Sequence, residues 1–228
     1  MINYEIEPSV LAPYVPQGTE LDAWNEKTFV SVVGFMFLET RVMRLKIPFH
    51  SSFEEVNLRF YVRRKTDEGW RRGVVFIKEI VPRRAIAAVA RLVYNENYIA
   101  TPMRHVIEIK PAPGEKRGAV EYGWRYGGRW NQLRVEPAGE AQPLAEGSEE
   151  EFITEHYWGY AAQPRGGAVE YQVEHPRWLV WQVGERMLDC DVRSVYGAQF
   201  VDALGQGPSS AFLAQGSEIV VRRGTRLS

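Results

Sequence analysis

Residues 53–63 read Phe-Glu-Glu-Val-Asn-Leu-Arg-Phe-Tyr-Val-Arg, and their two-residue alternation is that of a β-strand. Val56, Leu58, Phe60 and Val62 fall on one face, while Glu55, Asn57, Arg59 and Tyr61 fall on the other. A strand face with four hydrogen-bonding side chains in succession is either wetted outer surface or the lining of a cavity. In the second case Glu55 and Arg59 are spaced to meet one small polar ligand.

Outward from this strand, Thr66-Asp67-Glu68-Gly69 reads as the turn of a hairpin into a second strand, Trp70 to Val81, apolar on both faces and therefore buried on both sides. On the N-terminal side, Phe29 to Val42 is apolar on both faces for much of its length, with Gly34 marking a bulge or tight bend. Pro8 to Val15 is read as a short helix or turn, stopped by Pro16 and Gly18.

After Pro82, the spacing of Ile86, Val89, Ala90 and Val93 predicts an amphipathic helix over Arg83 to Tyr94, and a strand follows at His105 to Lys110. Pro111 to Gly118 is a turn-rich connection, and Ala119 to Tyr126 and Arg129 to Val135 form a second hairpin about Gly127-Gly128. Pro137 to Glu151 is read as a polar surface loop, Phe152 to Ala161 and Ala168 to Val183 as strands, the segment from about Val192 as helical, and Glu218 to Arg223 as a last strand.

The 228 residues, 45% hydrophobic and 25% charged, suffice for one domain over 1–228 with a substantial core. A formal net charge of −1 provides no global attraction to nucleic acid, so no nucleic-acid partner is expected, and the arginines between Arg59 and Arg84 read as a solvated rim. One cysteine, Cys190, excludes an internal disulfide framework and a multi-cysteine zinc site. No apolar run reaches the roughly 20 residues of a membrane helix, and the N-terminus has no signal-peptide pattern. A cytoplasmic protein with no membrane partner is the expectation.

Nucleotide-loop, dinucleotide, nucleophile-elbow and zinc-protease motifs are all missing from the sequence. His156 and His175 each follow a glutamate, but adjacent strand residues face opposite sides, so neither pair presents both side chains to one metal; no metal and no cofactor are expected.

Three long runs, FEEVNLRFYVRR through NENYIATPMRH, PYVPQGTELDAWNEKTFVSVVGF before it and EEEFITEHYWGY after it, resemble the YqjF-like family of uncharacterised bacterial proteins, which is itself remotely similar to acetoacetate decarboxylase. The resemblance implies a mainly β, α+β fold with antiparallel sheets rolled into a cone-like barrel around a pocket. It also places Glu55 near that enzyme's pocket glutamate and Arg91 near its arginine. Its Schiff-base lysine has no counterpart: Asn97-Tyr98-Ile99-Ala100 stands in that place, and no lysine occurs between Lys78 and Lys110. An imine-forming lysine must lose its proton near neutral pH, so Lys78 serves only if its strand face shares the cavity, and Lys116 sits in a wet turn.

The leading reading is thus a small-molecule-binding protein, its reaction undefined, with a pocket faced by Glu55, Asn57, Arg59, Arg91, Tyr98 and His105. Arg59 or Arg91 would hold the carboxylate of a small metabolite, and Glu55 or Tyr98 would orient or transfer a proton. The competing reading is a non-catalytic homo-oligomer that self-associates through Trp124, Trp130, Trp158, Trp178 and Trp181. A further alternative is a decarboxylase-like enzyme with a displaced lysine.

Overall fold

The computed structural model describes residues 1–38, 41–42, 45–46, 52–83, 87, 96–110 and 118–227. Apart from Arg83 and Ala87, the helix expected over Arg83 to Tyr94, Arg91 included, lies outside the described residues, as does all but the last residue of the 111–118 connection. The N-terminal strands are β1 (Ile2–Glu5), β2 (Glu20–Leu21), β3 (Phe29–Phe37), β4 (Arg41–Val42), β5 (Leu45–Lys46), β6 (Phe53–Thr66), β7 (Gly69–Val81) and β8 (Tyr98–Ala100). They are followed by β9 (Met103–Glu108), β10 (Ala119–Tyr126), β11 (Arg129–Pro143), β12 (Trp158–Ala162), β13 (Ala168–Glu174), β14 (Leu179–Asp189), β15 (Ser210–Ala214), β16 (Val220–Val221) and β17 (Thr225–Leu227). Short helices are α1 (Pro8–Leu11), α2 (Glu149–Thr154), α3 (Val192–Val195) and α4 (Val201–Gly205).

The fold is mainly β, as expected. Fifteen strands join one sheet whose path runs β16-β13-β12-β7-β6-β3-β1-β15-β14-β11-β10-β9, with β17, β2 and β8 as branches. Among the described residues no ladder joins β16 to β9, so the path does not close on itself, and the expected rolling into a cone-like barrel is not a closed ring of strands. The sheet is also mixed. One edge of β7 takes two parallel partners, β12 at Gly73 and Val74 and β8 from Glu79 to Val81.

The alternation in β6 is realised as read. Val56, Leu58, Phe60 and Val62 are all fully buried, in one core with Tyr122 and Trp124 of β10 and Leu133 and Val135 of β11. Each such side chain contributes about 1.5–3 kcal/mol on leaving water, so this face fixes the β6 register. Gly34 marks no bulge: the β3–β6 ladder runs unbroken from Val30 opposite Phe60 to Phe37 opposite Phe53. Its role is close approach, because a Cβ there would lie 2.5 Å from the Tyr122 ring.

Both hairpins form, the second through Gly127 and Gly128 at φ 57° and 82°, left-handed values that glycine adopts without strain. Other expectations are corrected. The 137–151 loop is largely ordered: β11 continues to Pro143, passing Pro137 at a register shift where no ladder donor is required. Phe152 opens no strand but lies in α2, whose N-cap Ser148 accepts from Glu151 N at 3.1 Å while Glu151 accepts from Gly147 N. This is a Ser-x-x-Glu helix start. Strands β1 and β15 escaped the reading because each is a short run whose alternation is too brief to register.

Candidate functional site

Across the sheet, Asn57 of β6 stands opposite Glu79 of β7, and Glu79 stands opposite Tyr98 of β8. Residues in one cross-strand row share a face with about 5 Å between neighbouring Cβ atoms, so these three side chains meet, with Glu55 two residues along the same face of β6. Asn57 Nδ2 donates to Glu55 Oε1 at 2.9 Å, and Tyr98 Oη donates to Glu55 Oε2 at 3.1 Å. Glu79 shares side-chain hydrogen bonds with Tyr98 and with Glu96, and Glu96 in turn accepts from Tyr171 Oη at 2.5 Å. The face is buried: Glu55 and Glu79 are each 1% exposed and Asn57 is 2% exposed.

Burial governs the charge here. The Glu55 carboxyl is pushed up to about 7, first by loss of water, against the pull of hydrogen bonds from Asn57 and Tyr98, with the nearby Glu96 charge adding to the rise and Arg59 opposing it. Glu79 is raised well above the ordinary carboxylate range by burial and by the charges of Glu96 and Glu55, and Glu96 is raised by burial. The Tyr98 and Tyr171 phenols are likewise pushed well up by burial, so both remain donors. A carboxyl–carboxyl hydrogen bond requires a shared proton. Burial thus keeps protons in the cluster to higher pH than in free carboxyls, and Glu55, pushed up to about 7, exchanges its own close to neutrality, the condition for acid–base work.

Among the described residues, three buried polar atoms on this face have no hydrogen-bond partner: Asn57 Oδ1, Arg59 Nε and Glu79 Oε2. Arg59 lies on the Glu55 face of β6, donates to Ile153 O at 3.2 Å, and sits 5.7 Å from the Tyr61 ring. His105 is not part of this group. It is exposed on β9, with Nδ1 3.7 Å from Glu54 Oε2, and Glu54 points to the opposite face of β6 from Glu55. The structure thus brings together Glu55, Asn57 and Tyr98, sets Arg59 beside them, and leaves His105 out; Arg91 lies outside the described residues.

Sequence reasoning missed Glu79, Glu96 and Tyr171. Glu79 had a signal, a carboxylate inside the apolar run Val74 to Val81; Glu96 and Tyr171 had none, since long-range pairing alone brings them in. Lys78 stands opposite Leu58, on the apolar face away from Glu55. Its Nζ donates to Val195 O and lies 5.4 Å from the Tyr126 ring, and burial lowers its pKa. Among the described residues no group of three or more His, Cys, Asp or Glu side chains is disposed to hold a metal ion. His156 is buried 3.5 Å from Asp22, while His175 stacks on Trp178. The tryptophans are dispersed: Trp124 is fully buried and Trp158 lies under Arg71, whereas Trp130 is 38% exposed.

The arrangement of strands is shared with solved proteins. The chain matches an acetoacetate decarboxylase from Legionella pneumophila with a TM-score of 0.63 and 13% identity, covering 100% of this chain and 83% of that one. The enduracididine biosynthesis enzyme MppR complexed with pyruvate matches with a TM-score of 0.63 and 12% identity, over 100% of this chain and 86% of that one. An acetoacetate decarboxylase-like enzyme from Sphingomonas wittichii RW1 matches with a TM-score of 0.60 and 13% identity, over 100% and 89%. At such identities the likeness is one of fold. In sequence, the uncharacterized protein YqjF of Bacillus subtilis (strain 168) is 29% identical over 122 residues, 53% of this chain and 45% of that protein's length. Residues 1–218 match the family model DUF2071, an uncharacterized conserved protein family. The chain belongs to the DUF2071 family.

Proposed function

We propose that the protein binds a small carboxylate-bearing metabolite, of the oxo-acid class, on the buried polar face of β6, where Glu55 and Tyr98 hold and pass a proton. The observation that carries this reading is the set of buried atoms on that face with no partner among the described residues, Asn57 Oδ1, Arg59 Nε and Glu79 Oε2. Buried polar groups are rarely left unpaired, and here one donor from a cation and two acceptors are left for a guest. Arg59 Nε suits a carboxylate oxygen. A protonated Glu79 or Glu55 donates to a carbonyl oxygen, and Glu55, titrating near neutrality, takes or returns a proton at the neighbouring carbon.

The pyruvate complex of MppR supports the ligand class. The reading needs no imine: the resemblance sets Asn97 to Ala100 in the place of the lysine segment, and Lys78 lies across the sheet. Whether the site turns over its ligand depends on the guest, and proton exchange at the carbon next to the carbonyl is the simplest reaction the cluster supports.

The test is binding of pyruvate and acetoacetate followed by ligand-observed NMR, with deuterium exchange at the ligand methyl as a second readout. Saturation transfer that Arg59→Ala removes, and exchange that Glu55→Gln removes while binding persists, are the expected results. Binding unchanged in Arg59→Ala would sink the anion anchor. A borohydride-trapped adduct on Lys78 would favour the displaced-lysine enzyme instead.

A further inference from the structure

On the opposite face of the sheet lies a groove with a different chemistry. Ile2 stands opposite Val32, and Val32 opposite Leu58, so the Ile2 and Tyr4 side chains share the apolar face of β6 rather than the Glu55 face. Where β1 meets the end of β14 and the short helices α3 and α4, the chain leaves a cavity of about 580 Å³, within the range of small-ligand sites. Its lining includes the apolar residues Ile2, Tyr4, Leu188, Val201 and Leu204 together with three arginines, Arg129, Arg186 and Arg193.

The positive charge is only partly offset. Arg129 is paired with Asp189. Asp191, the acidic residue among those lining the groove, is committed to its helix cap, accepting from Ser194 N at 3.1 Å and from Ser194 Oγ at 2.7 Å. Among the described residues neither Arg186 nor Arg193 forms an ion pair at contact distance, and Arg193 and Arg129 act on the Asp191 carboxylate only through their charge. Arg186 is opposite Val135 across the β11–β14 ladder, and Leu188 is opposite Leu133, so Arg186 and Leu188 project to the same side, charge at the mouth and hydrocarbon deeper in.

We infer that this groove is a binding site for an amphiphilic organic carboxylate, its hydrocarbon body on Ile2, Tyr4, Leu188, Val201 and Leu204 and its head group held between Arg186 and Arg193. Two guanidinium groups that form no contact ion pair among the described residues match a carboxylate in charge and planar geometry, and the apolar lining supplies the contact that most pocket affinity requires. This site stands apart from the Glu55 cluster and does not depend on it.

Cys190, the single cysteine of the chain, lines the groove and reports on it without a label. Burial pushes its thiol up to about 12, so alkylation is slow and easily timed. The experiment measures the rate of Cys190 modification by N-ethylmaleimide in the intact protein with octanoate or octanol as the probe. Octanoate at about twice its dissociation constant slows modification roughly threefold, whereas octanol at equal concentration does not. Arg186→Glu combined with Arg193→Glu removes the protection, and the paired lysine variant, Arg186→Lys with Arg193→Lys, keeps a measurable part of it. Both arginines are exposed, and an unchanged thermal melt in each variant separates loss of the site from loss of the fold. Equal protection by octanoate and octanol, or protection that survives the double glutamate variant, overturns the inference.

Discussion

Replacing Glu55 by glutamine should flatten the pH dependence of stability. The Glu55 carboxyl is fully buried and pushed up from 4.5 to about 7, so between those values the folded protein holds a proton that the unfolded chain has released. Stability therefore falls as pH rises, because folding must either retain that proton or bury the charge. The loss begins near the unfolded value, and it is complete once pH exceeds the folded one. Each tenfold difference in proton affinity between the folded and unfolded chain is worth about 1.4 kcal/mol, so the full loss is about 3 kcal/mol, of which about 2 kcal/mol falls between pH 5.5 and 8.5. Glu79 and Glu96, also raised by burial, act in the same direction in both proteins. Glutamine preserves the local bonding: its oxygen accepts from Asn57, and its amide donates to the Tyr98 oxygen once that hydroxyl turns to Glu79. Urea unfolding of both proteins at the two pH values reads the difference directly. The wild type should lose about 2 kcal/mol more than Glu55→Gln over that interval. Parallel losses in the two proteins would show that Glu55 has no raised proton affinity in the folded state, and the proton-transfer role given to it would fall.

Tyr98→Phe removes the hydroxyl placed between Glu55 and Glu79 and should destabilise by about 1–3 kcal/mol in urea unfolding, because acceptors remain buried without their donor. Gly159→Ala drives a methyl group into the Tyr171 ring; a loss of about 1–3 kcal/mol is expected, with a changed pH dependence because Tyr171 is the donor to Glu96. His105→Ala, on an exposed strand away from the cluster, should change stability by less than about 0.5 kcal/mol, and ligand binding should be unaffected. Ser148→Ala removes the side-chain cap of α2 and should lower the melting temperature by the equivalent of about 1 kcal/mol.

How much was legible in the chain follows the range of the interactions involved. The β6 alternation, the β6–β7 hairpin and the Gly127-Gly128 turn were readable because pleat and turn are local: side-chain period and left-handed backbone angles depend on a few consecutive residues. The α2 start was also written locally, in Ser148 to Glu151, but was passed over as part of an acidic loop.

The sequence by itself determined that Glu55, Asn57, Arg59 and Tyr61 share a face, and that Val56, Leu58, Phe60 and Val62 share the other. It did not determine whether the polar face met water or protein. That was decided by β7 and β8, which set Glu79 and Tyr98 in the row of Asn57, and by Tyr171, 73 residues beyond Tyr98 in the chain. The same pairing placed Lys78 across the sheet and, among the described residues, left the strand path without a closing ladder. Side-chain direction is inherited from the strand's own geometry, whereas burial, and with it the charge state of a carboxyl, belongs to whatever distant segments pack over it.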